Sequence, residues 1–387
     1  MAEKLSPFTI AATYVGTVVG AGFASGQEVL QFFSAFGRWG FVGIALATGL
    51  FVFFGLAIME LGHALKAESH LPVIQAAGGR WAGAIMDLII TFFLFGALVT
   101  MAAGSGAIFV EEFRLPGPVG SMLLLGLTLV TVLLGIFRVI ESISFVAPVL
   151  LTSVLSLSLI TILAQPQGLV ANLAWVDPAK AAVPSWPLAA LLYASYNLIL
   201  SVAVLAPLGA LGSLAALRRG AIWGGLSLGV GVLAIAAAIL TVAPQVAGLE
   251  VPMIAVAGLI SPYLRIFYSL VLVAEVYTTA VAGLYGFTSR LTKPDSRAYR
   301  ALAILASIAA FILARFGFST IVSTLYPAAG FAGLLLIGAL TYGYLKVLLT
   351  RASLSAPAAK PEKKPDIEPA TGSVYEDSSQ DGNNRRE

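Results

Sequence analysis

Ten long, almost uncharged stretches dominate this chain. They cover about residues 8–36, 39–65, 83–110, 118–137, 143–164, 186–213, 221–243, 259–288, 298–314 and 320–349. Each is long enough for an α-helix to cross the roughly 30 Å hydrocarbon layer of a bilayer. Of the 387 residues, 59% are hydrophobic and only 11% are charged, more apolar surface than a soluble core consumes. Backbone polar groups in lipid must be satisfied within each span, so the expected fold is an all-α, multi-pass membrane protein. Charged or Pro/Gly-rich connections separate the spans, among them LKAESHLP at 65–72, RLPGP at 114–118 and SRLTKPDSR at 289–297. The start, MAEKLSP, has no small-residue cleavage site, so no cleaved signal peptide is expected. From residue 351 to 387 the chain turns rich in Pro, Lys, Glu and Ser, which reads as a disordered cytoplasmic tail.

Basic residues set the orientation. With both termini cytoplasmic, the inner connections hold Lys4, Lys66, Arg80, Arg138, Arg218, Arg219, Arg290, Lys293, Arg297, Arg300, Lys346 and Arg351. The outer ones hold Arg38, Arg114, Lys180, Arg265 and Arg315, so the count is twelve against five. That bias favours an even number of spans in a bacterial inner membrane. Ten spans divide into five (1–165) and five (166–350). Each half opens with a span carrying polar residues at its middle, 8–36 and 186–213. Two five-span units must insert in opposite directions, which is the inverted repeat of secondary transporters.

One stretch breaks the apolar pattern. Residues 18–28 read VVGAGFASGQE. Gly20, Gly22 and Gly26 weaken a helix in mid-membrane, and such unwinding is tolerated only where the backbone lines a protein cavity. Ser25-Gly-Gln-Glu28 matches a capping box, which predicts that a new half-helix restarts at about Ser25, with the joint near Gly20–Ala24. On this reading capping alone accounts for Glu28. Freed carbonyls at the joint suit cations, and freed amides suit anions.

The stretch GTVVGAGFASGQEVLQFFSAFGRWG resembles the first-span signature of YkvI-like bacterial membrane proteins, relatives of the amino acid–polyamine–organocation superfamily with the LeuT fold. The likeness extends over residues 8–350, later in hydropathy and order more than in motif. It implies a substrate site between the first and sixth spans. The candidates for that site are Gly20, Gly22, Phe23, Ser25, Gln27 and Glu28 of the first span and Tyr193, Tyr196, Asn197 and Ser201 of the sixth. It also implies a cation site built from the carbonyls of Gly16 and Val19, the hydroxyls of Thr278 and Thr279, and the carbonyl of Glu275. The residues agree in part, since AEVYTTAVAGLYG places Glu275, Thr278, Thr279 and Ala282 on one helix face with oxygen donors suited to a hard cation. The sixth span, LLYASYNLILSVAVLAPLG, departs from the pattern because it lacks a glycine cluster, so any break there must lie around Tyr196, Asn197 and Ser201. Some proton-coupled relatives carry a lysine in the fifth span; SFVAPVLLTSVLSLSLITIL has none, which favours sodium over a proton as coupling ion.

Glu275 is the acid that most needs a function, because an ionisable group in mid-span is costly. Asp87 and Glu60, nearer the span ends, read as interfacial ion pairs, and Glu111 and Glu112 as solvated. The glycines and alanines of GALVTMAAGSGA (96–107) read as close helix packing, and Tyr326-Pro327 as a kink and part of a gate. With no Cys, no nucleophile–His pairing and no phosphate loop, enzyme chemistry and ATP-driven pumping have no support in the sequence. No cofactor beyond a coupling ion and no nucleic-acid partner is expected. The function expected is secondary transport of a small amine or amino acid; the alternative is a ligand-sensing receptor that keeps the fold without net transport.

Overall fold

The computed structural model describes residues 5–134, 136–294 and 296–355. The tail expected to be disordered lies outside the described residues from 356 onward. Among the described residues the structure is helical, without strands. The helices are α1 Pro7–Val18, α2 Ala21–Ser25, α3 Gln27–Phe32, α4 Arg38–Leu65, α5 His70–Glu111, α6 Gly117–Leu133, α7 Ile136–Ala164 and α8 Pro166–Asn172, then α9 Trp186–Leu211, α10 Leu214–Thr241, α11 Ala243–Val246, α12 Pro252–Ile260, α13 Pro262–Leu291, α14 Arg297–Leu313 and α15 Phe318–Ser355. Seven of them are long and apolar enough to cross a membrane, or eight if the pair Val149–Ala164 and Pro166–Asn172, bent by 88°, counts as one span.

Two groups of helices carry the core. In one, α4 lies along α9 and α10, and α1 fits between α10 and α9. Close approach depends on small residues: a Cβ on Gly62 would meet the Ala206 backbone, and one on Gly209 the Met59 carbonyl. Tyr14 of α1 is fully buried, and its hydroxyl donates to the Phe51 carbonyl at 2.8 Å, which satisfies its polar tip inside this group. In the other group, α5 packs on α13 and α6, and α14 covers α5 and α6. Helix α5 contains a kink at Gly79 (φ 81°), which separates a short segment starting at His70 from the membrane-crossing part.

The first span is the exception to long unbroken helices. Helix α1 stops at Val18, and Val19 and Gly20 are both extended. The helix restarts at Ala21, four residues before the expected position. A second joint follows at Gly26, whose φ of 80° lies in the left-handed region and whose missing Cβ leaves room for Met253, 2.7 Å from where that Cβ would stand. The capping box is only half made. The Ser25 hydroxyl accepts from the Gln27 amide at 3.2 Å, but the Glu28 side chain turns away from Ser25.

Glu111 and Glu112 are not solvated as expected. Glu111 accepts from the amides of Glu250 (2.7 Å) and Val251 (3.3 Å), and Glu112 pairs with Arg265 at 2.8 Å. Both carboxylates lie where α5 meets the returning loop, and that contact takes them out of water. The ion pairs expected of the other acids are present: Glu60 with Arg218 at 2.6 Å, and Asp87 with Arg290 and His70.

Candidate functional site

The break in the first span opens onto a cavity of about 350 Å³. Its wall comes from the end of α1, the start of α2, Glu28 of α3, and parts of α5, α9, α13 and α15. The cavity gathers Gly16, Val19, Gly20, Gly22 and Glu28 from the first span, Tyr196 and Asn197 from α9, and Glu275, Thr278 and Thr279 from α13. Residues read separately along the sequence thus meet in one place.

Glu28 is 6% exposed, and its carboxylate accepts a short hydrogen bond from the Tyr196 hydroxyl. Tyr326 of α15 faces the same carboxylate, and its ring lies 4.9 Å from that of Tyr196. The side chain fits because of Gly22: a Cβ there would fall on the carboxylate, 2.6 Å from its Cδ and closer still to an oxygen. Glycine at 22 therefore makes room for the acid as well as loosening the helix.

Across the cavity, Glu275 is 4% exposed, and its Oε2 atom is buried with no hydrogen-bond partner among the described residues. An acid so placed needs a cation or a proton from the cavity, because an unpaired buried charge is costly. The Thr278 hydroxyl donates to the Glu275 carbonyl at 3.0 Å and keeps its lone pairs. A Cβ on Gly20 would stand 3.7 Å from the Thr279 hydroxyl, so the break and α13 face each other directly. Because Val19 and Gly20 leave the helix, no backbone amide donates to the carbonyls of Gly16 or Val19 among the described hydrogen bonds. This cluster of uncharged oxygen donors beside a carboxylate suits a hard monovalent cation.

The remaining candidates lie outside the cavity wall. Phe23 is buried against Gly231, and the Ser25 hydroxyl donates to the Gly22 carbonyl at 2.9 Å. The Gln27 amide meets the Ser319 hydroxyl at 2.8 Å, at the start of α15. Tyr193 sits among the rings of Phe32, Phe33 and Phe51. Ser201 donates to the Asn197 carbonyl at 2.7 Å and takes a 3.3 Å contact from the Thr17 hydroxyl. Two polar wall residues, Thr17 and Tyr326, are not among the substrate and cation candidates read from the sequence. Position gives no sign of Thr17; Tyr326 is marked only by the proline after it.

The two ends of the cavity differ. Every residue from Gly22 to Ala35 is buried. Above the break, Tyr268 donates to the Ala24 carbonyl at 2.6 Å, Gln31 bonds Ser319 at 3.1 Å, and the Ala182 amide bonds the Gln31 carbonyl at 3.0 Å. At the α1 end, Gly16 is exposed and Val204 is 40% exposed. The cavity is closed beyond α3 and open beside α1.

Comparison with known proteins fits this geometry. No family model matches the sequence. The uncharacterized membrane protein YkvI of Bacillus subtilis is 32% identical over 341 residues, spanning 87% of this chain and 96% of that protein. The chain belongs to the YkvI family. The uncharacterized protein YyaD of the same organism is 28% identical over 324 residues, 84% of this chain and 92% of YyaD. Among solved structures, MhsT in complex with L-phenylalanine superimposes with a TM-score of 0.60 at 16% identity, covering 90% of this chain and 99% of that one. A Na+-coupled sialic acid symporter in a substrate-bound outward-open state gives 0.60 at 13% identity, covering 87% and 79%. Mhp1, a nucleobase-cation-symport-1 family transporter, gives 0.52 at 15%, covering 84% and 75%. At these identities the likeness is one of fold: this is a LeuT-like membrane protein.

Proposed function

We propose that the chain is a secondary active transporter that binds a small amine or amino acid in the cavity at the break of the first span, coupled to a cation. The observation that carries this reading is the cavity itself. A mid-span break, two buried carboxylates and a set of free carbonyl and hydroxyl oxygens line one space that is closed at one end and open at the other. That is the arrangement alternating access requires. The coupling cation, sodium in preference to a proton, would be held by the carbonyls of Gly16, Val19 and Glu275 with the hydroxyls of Thr278 and Thr279. The substrate would lie against Gly20, Gly22, Glu28, Tyr196 and Asn197, with Phe23, Ser25, Gln27, Tyr193 and Ser201 supporting the wall from behind.

The membrane arrangement belongs to the same proposal. To the seven long apolar helices and the bent α7–α8 pair it adds the 17-residue α6 and the broken α1–α3 span, making ten. Residues 1–165 and 166–350 then form two inverted five-helix repeats with both termini cytoplasmic, in the inner membrane of a bacterium, within the amino acid–polyamine–organocation superfamily. Reciprocal packing supports the repeat: α1 lies on α10 as α9 lies on α4, and α6 touches α13 as α14 touches α5. In that orientation the open end of the cavity faces the cytoplasm.

The deciding experiment is thermal melting of the purified protein in sodium against matched potassium and choline salts, repeated on Thr278→Ala/Thr279→Ala. A ligand that binds only the folded state stabilises it by RT ln(1 + [L]/Kd), about 2.7 kcal/mol at a hundred times Kd. Sodium-specific stabilisation that the double variant loses is the expected result. Absence of a sodium effect, with a pH dependence that needs Glu275, would replace sodium by a proton. Ligand binding without uptake into vesicles would replace the transporter by a receptor.

A further inference from the structure

Resting on that reading of the cavity, we infer that its substrate is an organic cation without a carboxylate: an amine rather than an amino acid. Among the described residues the wall contains two carboxylates, Glu28 and Glu275, and no Lys, Arg or His. Each is at least nine-tenths buried, and Glu275 Oε2 has no partner among the described residues. If a coupling cation answers Glu275, the Glu28 carboxyl is left to answer the substrate. A substrate with one net positive charge completes the balance; a zwitterion does not, and it brings a second carboxylate into a space with no base to receive it.

The position of Glu28 sharpens this. In transporters with broken helices, the start of a half-helix receives the anionic group of the substrate. Here that place beside Gly22 is occupied by the chain's own carboxylate, which folds back over the glycine and is held by Tyr196. The protein thus supplies internally the carboxylate that an amino acid would otherwise bring. The paired rings of Tyr196 and Tyr326 give the ammonium a second attraction, since aromatic faces draw cations.

The test uses matched pairs that differ by one carboxylate: phenethylamine against L-phenylalanine and isoamylamine against L-leucine. Full-length protein in detergent is melted with each at a fixed sodium concentration. The expected result is that at least one amine raises the melting temperature while its parent amino acid does not, and that Glu28→Gln weakens the amine at least tenfold. Should Glu28→Gln fail to fold, Glu28→Asp keeps the charge but withdraws it by one methylene, and weaker amine binding with melting preserved serves the same purpose. Stabilisation by an amino acid but not its amine overturns the inference, as does a panel in which no amine acts. Uptake into vesicles tests the transporter reading separately. An amine that binds without uptake removes transport and leaves the substrate class standing. Uptake of amino acids alone removes the class and leaves transport standing.

Discussion

The first span and α9 occupy equivalent places in the proposed repeat, yet they are built differently. The first is cut twice, at Val19–Gly20 and at Gly26. Helix α9 runs from Trp186 to Leu211 straight through Tyr196, Asn197 and Ser201, with its only interior proline at Pro207, near the end. Two of its polar side chains are spent on its own backbone: Asn197 donates to the Tyr193 carbonyl at 2.9 Å, and Ser201 to the Asn197 carbonyl. The contrast separates two ways of building a site within a membrane. One helix opens and offers backbone groups; its counterpart stays closed and offers the tips of side chains, Tyr196 above all.

The largest effect should come from filling the break. Gly22→Ala puts a methyl group where the Glu28 carboxylate lies and must either move the acid or push α2 from α3. Overpacking of this kind costs about 1–3 kcal/mol, and expulsion of Glu28 would remove amine binding altogether. Gly20→Ala is the control, because a Cβ there stands at ordinary contact distance, 3.7 Å from Thr279. Melting curves and binding titrations of the pair separate the roles. If both variants behave alike, glycine serves the break only by loosening the helix.

Next comes the link between the two spans. Tyr196→Phe removes the hydroxyl that donates to Glu28. Hydrogen bonds to charged groups contribute about 1.5–3 kcal/mol, so a stability loss in that range is expected, with weaker binding of any cationic ligand. An unchanged melting temperature would mean that Tyr326 carries the carboxylate without help.

These two predictions also show what the sequence could and could not reveal. The break was legible because glycine inside an apolar run is a local signal, and Glu275 because a lone acid in mid-span is one too. The partner of Glu28 was not. Ser25 and Glu28 have the spacing of a capping box, so the local reading kept the acid at home. In the fold it reaches Tyr196, 168 residues away in the chain. Such a partner is fixed by helix packing, which no local pattern records. The same reason hid the meeting of Tyr326 with Glu28 and the setting of Tyr193, whose ring is wedged among Phe32, Phe33 and Phe51, outside the cavity wall.

Access should differ between the two regions as sharply as structure does. The chain has no Cys, so single cysteines report cleanly. Val204→Cys, at the open end, should react with a water-soluble thiol reagent, whereas Gln27→Cys, where the native side chain is 2% exposed, should be protected. Conditions that turn the protein to its other state should exchange the two rates. Equal labelling in every condition would remove the proposed alternation.

The smallest effect is expected from Ser201→Ala, and it bears most directly on whether α9 is a rigid rod. The Ser201 hydroxyl bonds one turn back along its own helix and takes a long contact from Thr17. Back-bonded serines add little to a membrane helix, because the carbonyl they meet is already satisfied by the backbone. If α9 stays closed throughout the cycle, Ser201→Ala should leave stability and turnover within about 0.5 kcal/mol of the parent, the usual scale for a substitution that touches no special feature. If α9 instead opens around Asn197 and Ser201 in a state other than the one described here, that hydroxyl would satisfy a freed backbone group. The variant would then slow turnover strongly while leaving the melting temperature unchanged. Comparing the two readouts on this single variant therefore decides whether the asymmetry between the spans belongs to the fold or to one step of its cycle.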